Sequence, residues 1–374
     1  MAYVQTDANL AAVARAIRGE PLIAIDTEAA GYHRYHDRVC LLQLSTRTDT
    51  HVVDTLAVHK LDPLADVLQS DRTEVVIHDA EYDLRLLGRD HGLSVGRLFD
   101  TKIAAQFAGE PGIGLANLVE KYLAVKLDKK HQRADWAHRP LTREQLEYAA
   151  EDTRHLPVLR DRLRERLEEL GRLSWAEEEF RLRESVRWDP SPEEDDSWQR
   201  IKNTRDLTGR QLAALRELYL WREGVAEEKD VAPFRVMGND SLVAVARAMP
   251  DNTAALATVP GLAASVQARR GDALLEAVRR AKALPLDGLP ERKRAPRRPP
   301  PDPEFDALVE RLKVVRDREA DALDLDRGFL MPRLQLEDIA RAKPRTMEAL
   351  AATPEMRTWQ LAAVGDALLR ALKE

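Results

Sequence analysis

The sequence predicts an α/β domain built on a mixed sheet, followed by two small all-α domains of one design. Three observations carry this. Short runs rich in Val, Ile and Leu alternate with helical stretches over about the first 170 residues. The composition then turns acidic and proline-rich at Asp189-Pro190-Ser191-Pro192-Glu193-Glu194-Asp195-Asp196. Beyond that break the chain repeats itself at a constant offset of 94 residues.

Leu22–Ile25, Val39–Leu44, His51–Val53 and Glu74–Ile77 read as strands, apolar and bounded by polar or turn residues. Leu61–Leu68, Tyr82–His91, Leu115–Leu123 and Thr142–Leu170 read as helices from apolar residues at i, i+3 and i+4. The first three strands follow one another too closely for crossover helices, so they pair as a hairpin or meander and the sheet is mixed.

The repeat is ungapped. Ala246-Arg247-Ala248-Met249-Pro250 returns as Ala340-Arg341-Ala342-Lys343-Pro344, and Gly271-Asp272-Ala273-Leu274-Leu275 returns as Gly365-Asp366-Ala367-Leu368-Leu369. Leu242, Leu256 and Pro260 match Leu336, Leu350 and Pro354 in the same register. The basic, proline-rich run Arg292-Lys293-Arg294-Ala295-Pro296-Arg297-Arg298-Pro299-Pro300-Pro301 separates the copies. The expected division is an α/β domain over 1–188, an acidic linker over 189–204, a helical domain over 205–284, a Pro/Arg-rich linker over 285–303 and a second helical domain over 304–374.

Composition narrows the function. With 44% hydrophobic and 33% charged residues and no apolar run near the ~20 residues of a membrane helix, a membrane span is not expected. Met1–Leu10 carries Asp7 and no basic or apolar block, so no secretory signal is expected and the expected compartment is the cytoplasm. A single cysteine, Cys40, sits in the apolar run Val39-Cys40-Leu41-Leu42 and reads as a buried structural thiol rather than part of a disulfide or Cys-based zinc framework. A net charge of −6 gives no whole-chain nucleic-acid signal, leaving local basic segments to be judged singly. No glycine-rich loop ends in Gly-Lys-Ser/Thr, which argues against an ATP-driven activity.

The chemistry-bearing residues are acidic. Asp26-Thr27-Glu28 follows the strand Leu22–Ile25, and i, i+2 spacing on a strand turns both carboxylates to one side. The same Asp-x-Glu spacing recurs at Asp79, Asp302 and Asp317, so only the strand context distinguishes the first. Tyr148 and Asp152 lie one helical turn apart on one face, although Tyr3 and Asp7 share that spacing. Asp83 falls in the first turn of a helix after a later strand, where answering the helix dipole is a sufficient alternative role. His78-Asp79 matches the doublet of HD-type phosphohydrolases but ends a strand, and His33-x-x-His36 reads as a polar loop before it reads as a metal site.

An acidic pair on the first strand, Asp83 opening a helix, and the Tyr148/Asp152 pair occur in the order and spacing of the DEDD exonucleases. Residues 1–170 resemble that superfamily's tyrosine branch, and specifically the ribonuclease D family. Leu127-Asp128-Lys129-Lys130-His131-Gln132-Arg133-Ala134-Asp135-Trp136-Ala137-His138-Arg139-Pro140-Leu141 is similar to the corresponding family segment, and the two repeats resemble HRDC domains through Leu218–Arg222, Asp230–Pro233 and Ala246–Pro250. The chain departs from many family members in carrying Ala29-Ala30-Gly31 where an aromatic residue follows the acidic pair. The second repeat is the thinner match, with Val315 in place of Trp221.

The resemblance implies an RNase H-like mixed-sheet exonuclease domain followed by two HRDC-like domains, acting as a 3′–5′ exoribonuclease on single-stranded RNA 3′ ends such as those of tRNA precursors. It implies two divalent cations, Mg²⁺ or Mn²⁺: crowded carboxylates raise one another's pKa unless cations neutralise them, and oxygen-only ligands suit hard ions. The implied ligands are Asp26, Glu28, Asp83 and Asp152, with Asp26 bridging both ions and Tyr148 orienting the attacking water. Arg34, His78, Lys130, Gln132 and Arg139 are expected to contact substrate. No ATP and no membrane are expected, and the chain is expected to work as a monomer. A DNA 3′–5′ exonuclease with the same chemistry and a non-catalytic RNA-binding adaptor are the alternatives.

Overall fold

The computed structural model describes residues 1–189, 194–292 and 302–373. The expected linkers at 189–204 and 285–303 fall in part on residues 190–193 and 293–301, which lie outside the described residues. Two compact units form: one holds Met1–Glu28, Val39–Trp188 and the C-terminal helices, the other Ala29–Arg38 and the helices after Asp189.

The first unit opens with β1 (Ala2–Val4), α1 (Asp7–Ala16), β2 (Leu22–Ala29), β3 (Val39–Ser45) and β4 (Thr50–Asp54). It continues with α2 (Ala65–Leu68), β5 (Glu74–Ile77), α3 (Glu81–His91), β6 (Leu98–Asp100) and α4 (Thr101–Phe107). Next come α5 (Leu115–Leu123), α6 (Arg143–Arg154), α7 (Leu156–Glu169) and α8 (Leu173–Glu184). The sheet order is β1-β4-β3-β2-β5-β6. β3 and β4 pair antiparallel, whereas β1–β4, β2–β5 and β5–β6 pair parallel, so the mixed sheet is present. β2 lies in the middle, with Leu22 to Ile25 buried and Asp26 to Ala29 partly exposed at the strand's C-terminal end. The three-residue strands β1 and β6 are additions to the expected set; three residues are too few to display a period. The single helix expected over Thr142–Leu170 is two, broken at His155, because Pro157 lacks the N–H that would continue the ladder. Leu61–Leu68 shortens to a 3₁₀ turn and one α-turn, with Pro63 inside it.

The second unit contains α9 (Gly209–Glu228), α10 (Pro233–Val236), α11 (Asn239–Ala248), α12 (Thr253–Ala257) and α13 (Ala264–Ala283). Residues 198–204, expected to be linker, belong in part to this unit's core: Trp198 and Ile201 are buried in it, since large apolar side chains bury wherever a core is within reach. The loop Ala29–Arg38 also belongs here, with the Ala232 N–H donating to the His33 carbonyl at 3.0 Å.

The C-terminal copy comprises α14 (Pro303–Ala322), α15 (Arg327–Leu330), α16 (Arg333–Ala342), α17 (Met347–Ala351) and α18 (Thr358–Ala371). Every helix starts at the offset of 94 read from the sequence. The left-handed residues Asp230 and Met249 return as Asp324 and Lys343. Arg222 donates to the Met237 carbonyl in one copy and Arg316 to the Met331 carbonyl in the other. The C-terminal copy shares a core with the α/β domain. Phe107 and Trp175 pack with Phe329 and Trp359, and the Arg172 guanidinium donates to the carbonyls of Phe107 at 2.9 Å and Leu323 at 2.8 Å. The Glu178 carboxylate accepts the N–H groups of Thr358 and Trp359, capping α18 with negative charge. Among the described residues no helix is long and apolar enough to cross a membrane.

Candidate active site

The alternation along β2 delivers Asp26 and Glu28 to one side at its C-terminal end. α6 delivers Tyr148 and Asp152 from across the cleft. Its start is set by Thr142, whose hydroxyl accepts the Gln145 N–H while the Gln145 side chain accepts the Thr142 N–H. The helix is tied to the sheet by a 2.8 Å hydrogen bond between the Ser45 and Thr153 hydroxyls. Carboxylate oxygens of Asp26, Glu28 and Asp152 come within 4.8 Å of one another. Asp83 enters from the first turn of α3, buried, and accepts a hydrogen bond from the Thr27 hydroxyl.

Burial and mutual repulsion act on the group. Asp26 is held well above the usual carboxylate range by burial, then by Asp83, Asp152 and Glu28. Glu28 rises through burial, then through Asp152 and Asp83. Burial brings Asp83 to about 7 against the opposing pull of the Thr27 hydroxyl, and it brings Asp152 to about 7 with help from Glu151. Such a cluster is not stable fully ionised near neutral pH, and a divalent cation removes the conflict. The donor set fits Mg²⁺-type ions: oxygen atoms only, converging, with no histidine or cysteine among the described residues joining the group.

The Tyr148 ring is held by aromatic neighbours, stacked on Trp136 at 6.0 Å between centroids and met edge-on by His131 at 5.9 Å. Burial, then Asp152, Glu28 and Asp26, push its pKa upward, so the phenol keeps its proton and works as a donor.

Asp26, Glu28, Tyr148 and Asp152 line a cleft of about 400 Å³. His78 and Gln132, expected at the substrate, line it too. The other three expected contacts stand elsewhere. The Arg139 guanidinium forks onto Asp54, at 2.7 Å through both Nε and Nη2, and donates further to the carbonyls of Trp136, His138 and Cys40, which makes it a fastening for its own segment. Lys130 is exposed, its ammonium 3.6 Å from Glu144, and its neighbour Lys129 lines the cleft instead. Arg34 belongs to the second unit and lies 3.8 Å from Asp230.

Sequence reasoning missed Thr27, Asn117, Lys129 and Asp100. Asp100 carries the most structural weight. Its carboxylate accepts the N–H groups of Asp79 at 3.1 Å, Ala80 at 2.9 Å, Lys102 at 2.8 Å and Ile103 at 3.2 Å, fixing the turn from which α3 and Asp83 depart. The signal in the sequence was an acid directly before a helical run, the pattern of an N-cap.

A larger cavity of about 830 Å³ lies within the second unit, lined by Arg200, Lys202, Arg205, Arg247 and Arg292. Among the described residues its one carboxylate, Asp206, is paired with Arg247.

Comparison with known proteins agrees with this geometry. Residues 1–168 match the 3′–5′ exonuclease family, and residues 211–278 and 305–372 each match the HRDC domain. The chain is 34% identical over 377 residues to ribonuclease D of Gluconacetobacter diazotrophicus, spanning 99% of this chain and 92% of that protein. It is 36% identical over 289 residues to ribonuclease D of Escherichia coli, spanning 77% and 76%. The crystal structure of Escherichia coli RNase D, described as an exoribonuclease involved in structured RNA processing, superposes with a TM-score of 0.71 at 30% identity over 99% of this chain and 98% of that one. The chain belongs to the ribonuclease D family of 3′–5′ exoribonucleases.

Proposed function

We propose that this protein shortens single-stranded RNA from its 3′ end one nucleotide at a time, releasing nucleoside 5′-monophosphates, with Mg²⁺ or Mn²⁺ held by Asp26, Glu28, Asp83 and Asp152. The observation that carries this is the convergence of three carboxylates within 4.8 Å beside a protonated Tyr148 phenol. When bound, a pair of divalent cations supplies Lewis acidity to an in-line phosphoryl displacement. The chain's own residues do the rest. Asp26 and Glu28 present their carboxylates from a rigid central strand, Asp152 closes the group from α6, and Asp83 enters from α3. Tyr148, clamped by Trp136 and His131, donates its hydroxyl to orient the attacking water. Lys129 and Gln132 in the cleft wall supply donors for the phosphodiester, and the basic cavity of the second unit suits the same backbone. Precursors of tRNA are the proposed substrates, by family resemblance.

The test uses purified protein on matched 5′-labelled single-stranded RNA and DNA, in EDTA and after addition of Mg²⁺ or Mn²⁺. Stepwise shortening of RNA that needs the cation, stops at a 3′-phosphate and disappears in Asp26→Asn is the expected result. Cleavage of circular RNA at a comparable rate, or full activity of Asp26→Asn, overturns the proposal.

A further inference from the structure

A ribose differs from a deoxyribose by its 2′-hydroxyl, so a preference for RNA needs a group in the cleft that meets that hydroxyl. His78 has the required chemistry. It follows β5 directly, and its backbone is held by the Asp100 carboxylate, which accepts the N–H groups of the next two residues at 3.1 Å and 2.9 Å. The imidazole lines the same cleft as Asp26, Glu28 and Tyr148.

Thr101 is the ring's hydrogen-bond partner. His78 Nδ1 lies 2.9 Å from Thr101 Oγ1, and that hydroxyl donates to the Ile77 carbonyl at 3.3 Å. Thr101 is fully buried, so no bulk water competes for its oxygen. A threonine hydroxyl has one proton; given to the Ile77 carbonyl, it leaves the oxygen as an acceptor toward His78. In that arrangement Nδ1 carries the ring proton. Burial lowers the ring's pKa, outweighing the opposing pull of Asp100 and Asp79, and keeps the second nitrogen unprotonated. Nε2 is thus a lone-pair acceptor. It has no hydrogen-bond partner among the described residues and is not enclosed, and the residue is partly exposed. Phosphate oxygens carry no proton to offer such an atom, whereas a ribose hydroxyl does.

We infer that His78 Nε2 accepts a hydrogen bond from the 2′-hydroxyl of the nucleotide held in the cleft, and so makes the site prefer RNA to DNA. This rests on the exonuclease reading of the site. Gln132, the other expected contact in the cleft, does not duplicate the role, because an amide can turn its donor or its acceptor toward either sugar.

The experiment compares single-turnover rates on three 5′-labelled RNA oligonucleotides that differ only at the 3′-terminal sugar: ribose, 2′-deoxyribose and 3′-deoxyribose. For the unsubstituted protein, removal of the 2′-hydroxyl is expected to slow release of the terminal nucleotide about 10- to 100-fold, the range for loss of one hydrogen bond to a buried acceptor. His78→Phe keeps an aromatic ring and removes the acceptor. Its rate on the ribose end is expected to fall to that on the 2′-deoxy end, so that the ratio of the two rates approaches one. Thr101→Val frees Nδ1 and lets the ring present N–H at Nε2, so the preference is expected to shrink in that variant also, which keeps the test available if His78→Phe folds poorly. A 2′-preference that survives both substitutions, or a His78→Phe loss equal on all three ends, overturns the assignment and leaves the exonuclease reading standing. Sensitivity to the 3′-hydroxyl in place of the 2′-hydroxyl also overturns it. Absence of any cation-dependent trimming by the unsubstituted protein overturns the underlying reading itself.

Discussion

The Thr27 hydroxyl donates to the Asp83 carboxylate, tying the residue between the two strand acids to the first turn of α3. The fourth acid is therefore held in place before any cation arrives, by a side chain that makes no claim on the cation itself. Thr27→Val keeps the β-branched shape and removes this donor. A buried carboxylate that loses a hydrogen bond to its charged form moves further above its value of about 7. Turnover near pH 7 is expected to fall about 10-fold and to recover as pH is raised, while Thr27→Ser stays near the unsubstituted rate. A pH–rate profile of both variants checks this, and a Thr27→Val profile identical to the parent's refutes it.

Without cations the acidic cluster is expected to contribute less to stability as pH rises. The four carboxylates have folded-state pKa values raised above their unfolded values, Asp83 and Asp152 to about 7, so between roughly pH 4 and 7 these four groups bind more protons in the folded state than in the unfolded one, while burial of His51, His78 and His91 acts in the opposite sense. The contribution of the four acids to the melting temperature in EDTA should therefore drop across that window. Mg²⁺ should restore it most at the alkaline end, and Asp26→Asn should melt higher than the parent in EDTA at about pH 8, where the parent's acids repel most. Thermal melts of the parent and of Asp26→Asn across this range test these statements, and an Asp26→Asn variant that melts no higher than the parent in EDTA at about pH 8 contradicts them.

Tyr148→Phe and Asp152→Asn, one turn apart on α6, should fail differently. The first leaves the ring packed on Trp136 and every carboxylate in place, so RNA and cation affinity should hold while turnover falls ~10²–10⁴-fold. The second removes a ligand charge and should weaken cation binding as well. Excess Mg²⁺ or Mn²⁺ should partly rescue Asp152→Asn and leave Tyr148→Phe unchanged. Cation titrations of the single-turnover rate distinguish the two, and rescue of Tyr148→Phe by metal would sink the water-positioning role.

Asp100→Asn should disturb the site from a distance. The amide keeps one acceptor oxygen where the carboxylate uses both to hold backbone N–H groups, at a residue 1% exposed. A stability loss of about 1–3 kcal/mol is expected, with weaker cation binding because the start of α3 and Asp83 are no longer held. Urea denaturation and a cation titration on the same preparation measure both effects.

Trp359→Ala should lower stability by about 3–5 kcal/mol, because it empties a packed position, 3% exposed, among Phe107, Trp175 and Phe329. The informative control is Leu334→Ala on the exposed face of the same helical copy, which should cost little. Denaturant melts of the two variants make the comparison, and equal losses would count against the shared core.

Much of this protein was legible before folding because its signals are local. Asp26 and Glu28 face one way because a strand has a period of two, Tyr148 and Asp152 because a helix has 3.6, and the 94-residue repeat returns helix for helix because similar sequences make similar helices. Residues that only the tertiary structure could assign answer to partners far along the chain. Arg139 looked like a phosphate contact until the fold placed it on Asp54, and Lys130 yielded its expected place to Lys129 through the course of one loop. The sequence had no way to show that Trp198 and Ile201 leave the expected linker for a core, or that the C-terminal copy joins the core of the α/β domain through Phe107 and Trp359. Nor could it show that Thr27 reaches Asp83 or that Thr101 meets the His78 ring. Periodicity fixes which way a side chain points along its own element, but hydrogen-bond partners and shared cores depend on which elements the sheet and helices bring together, and that is set by the packing of the whole chain.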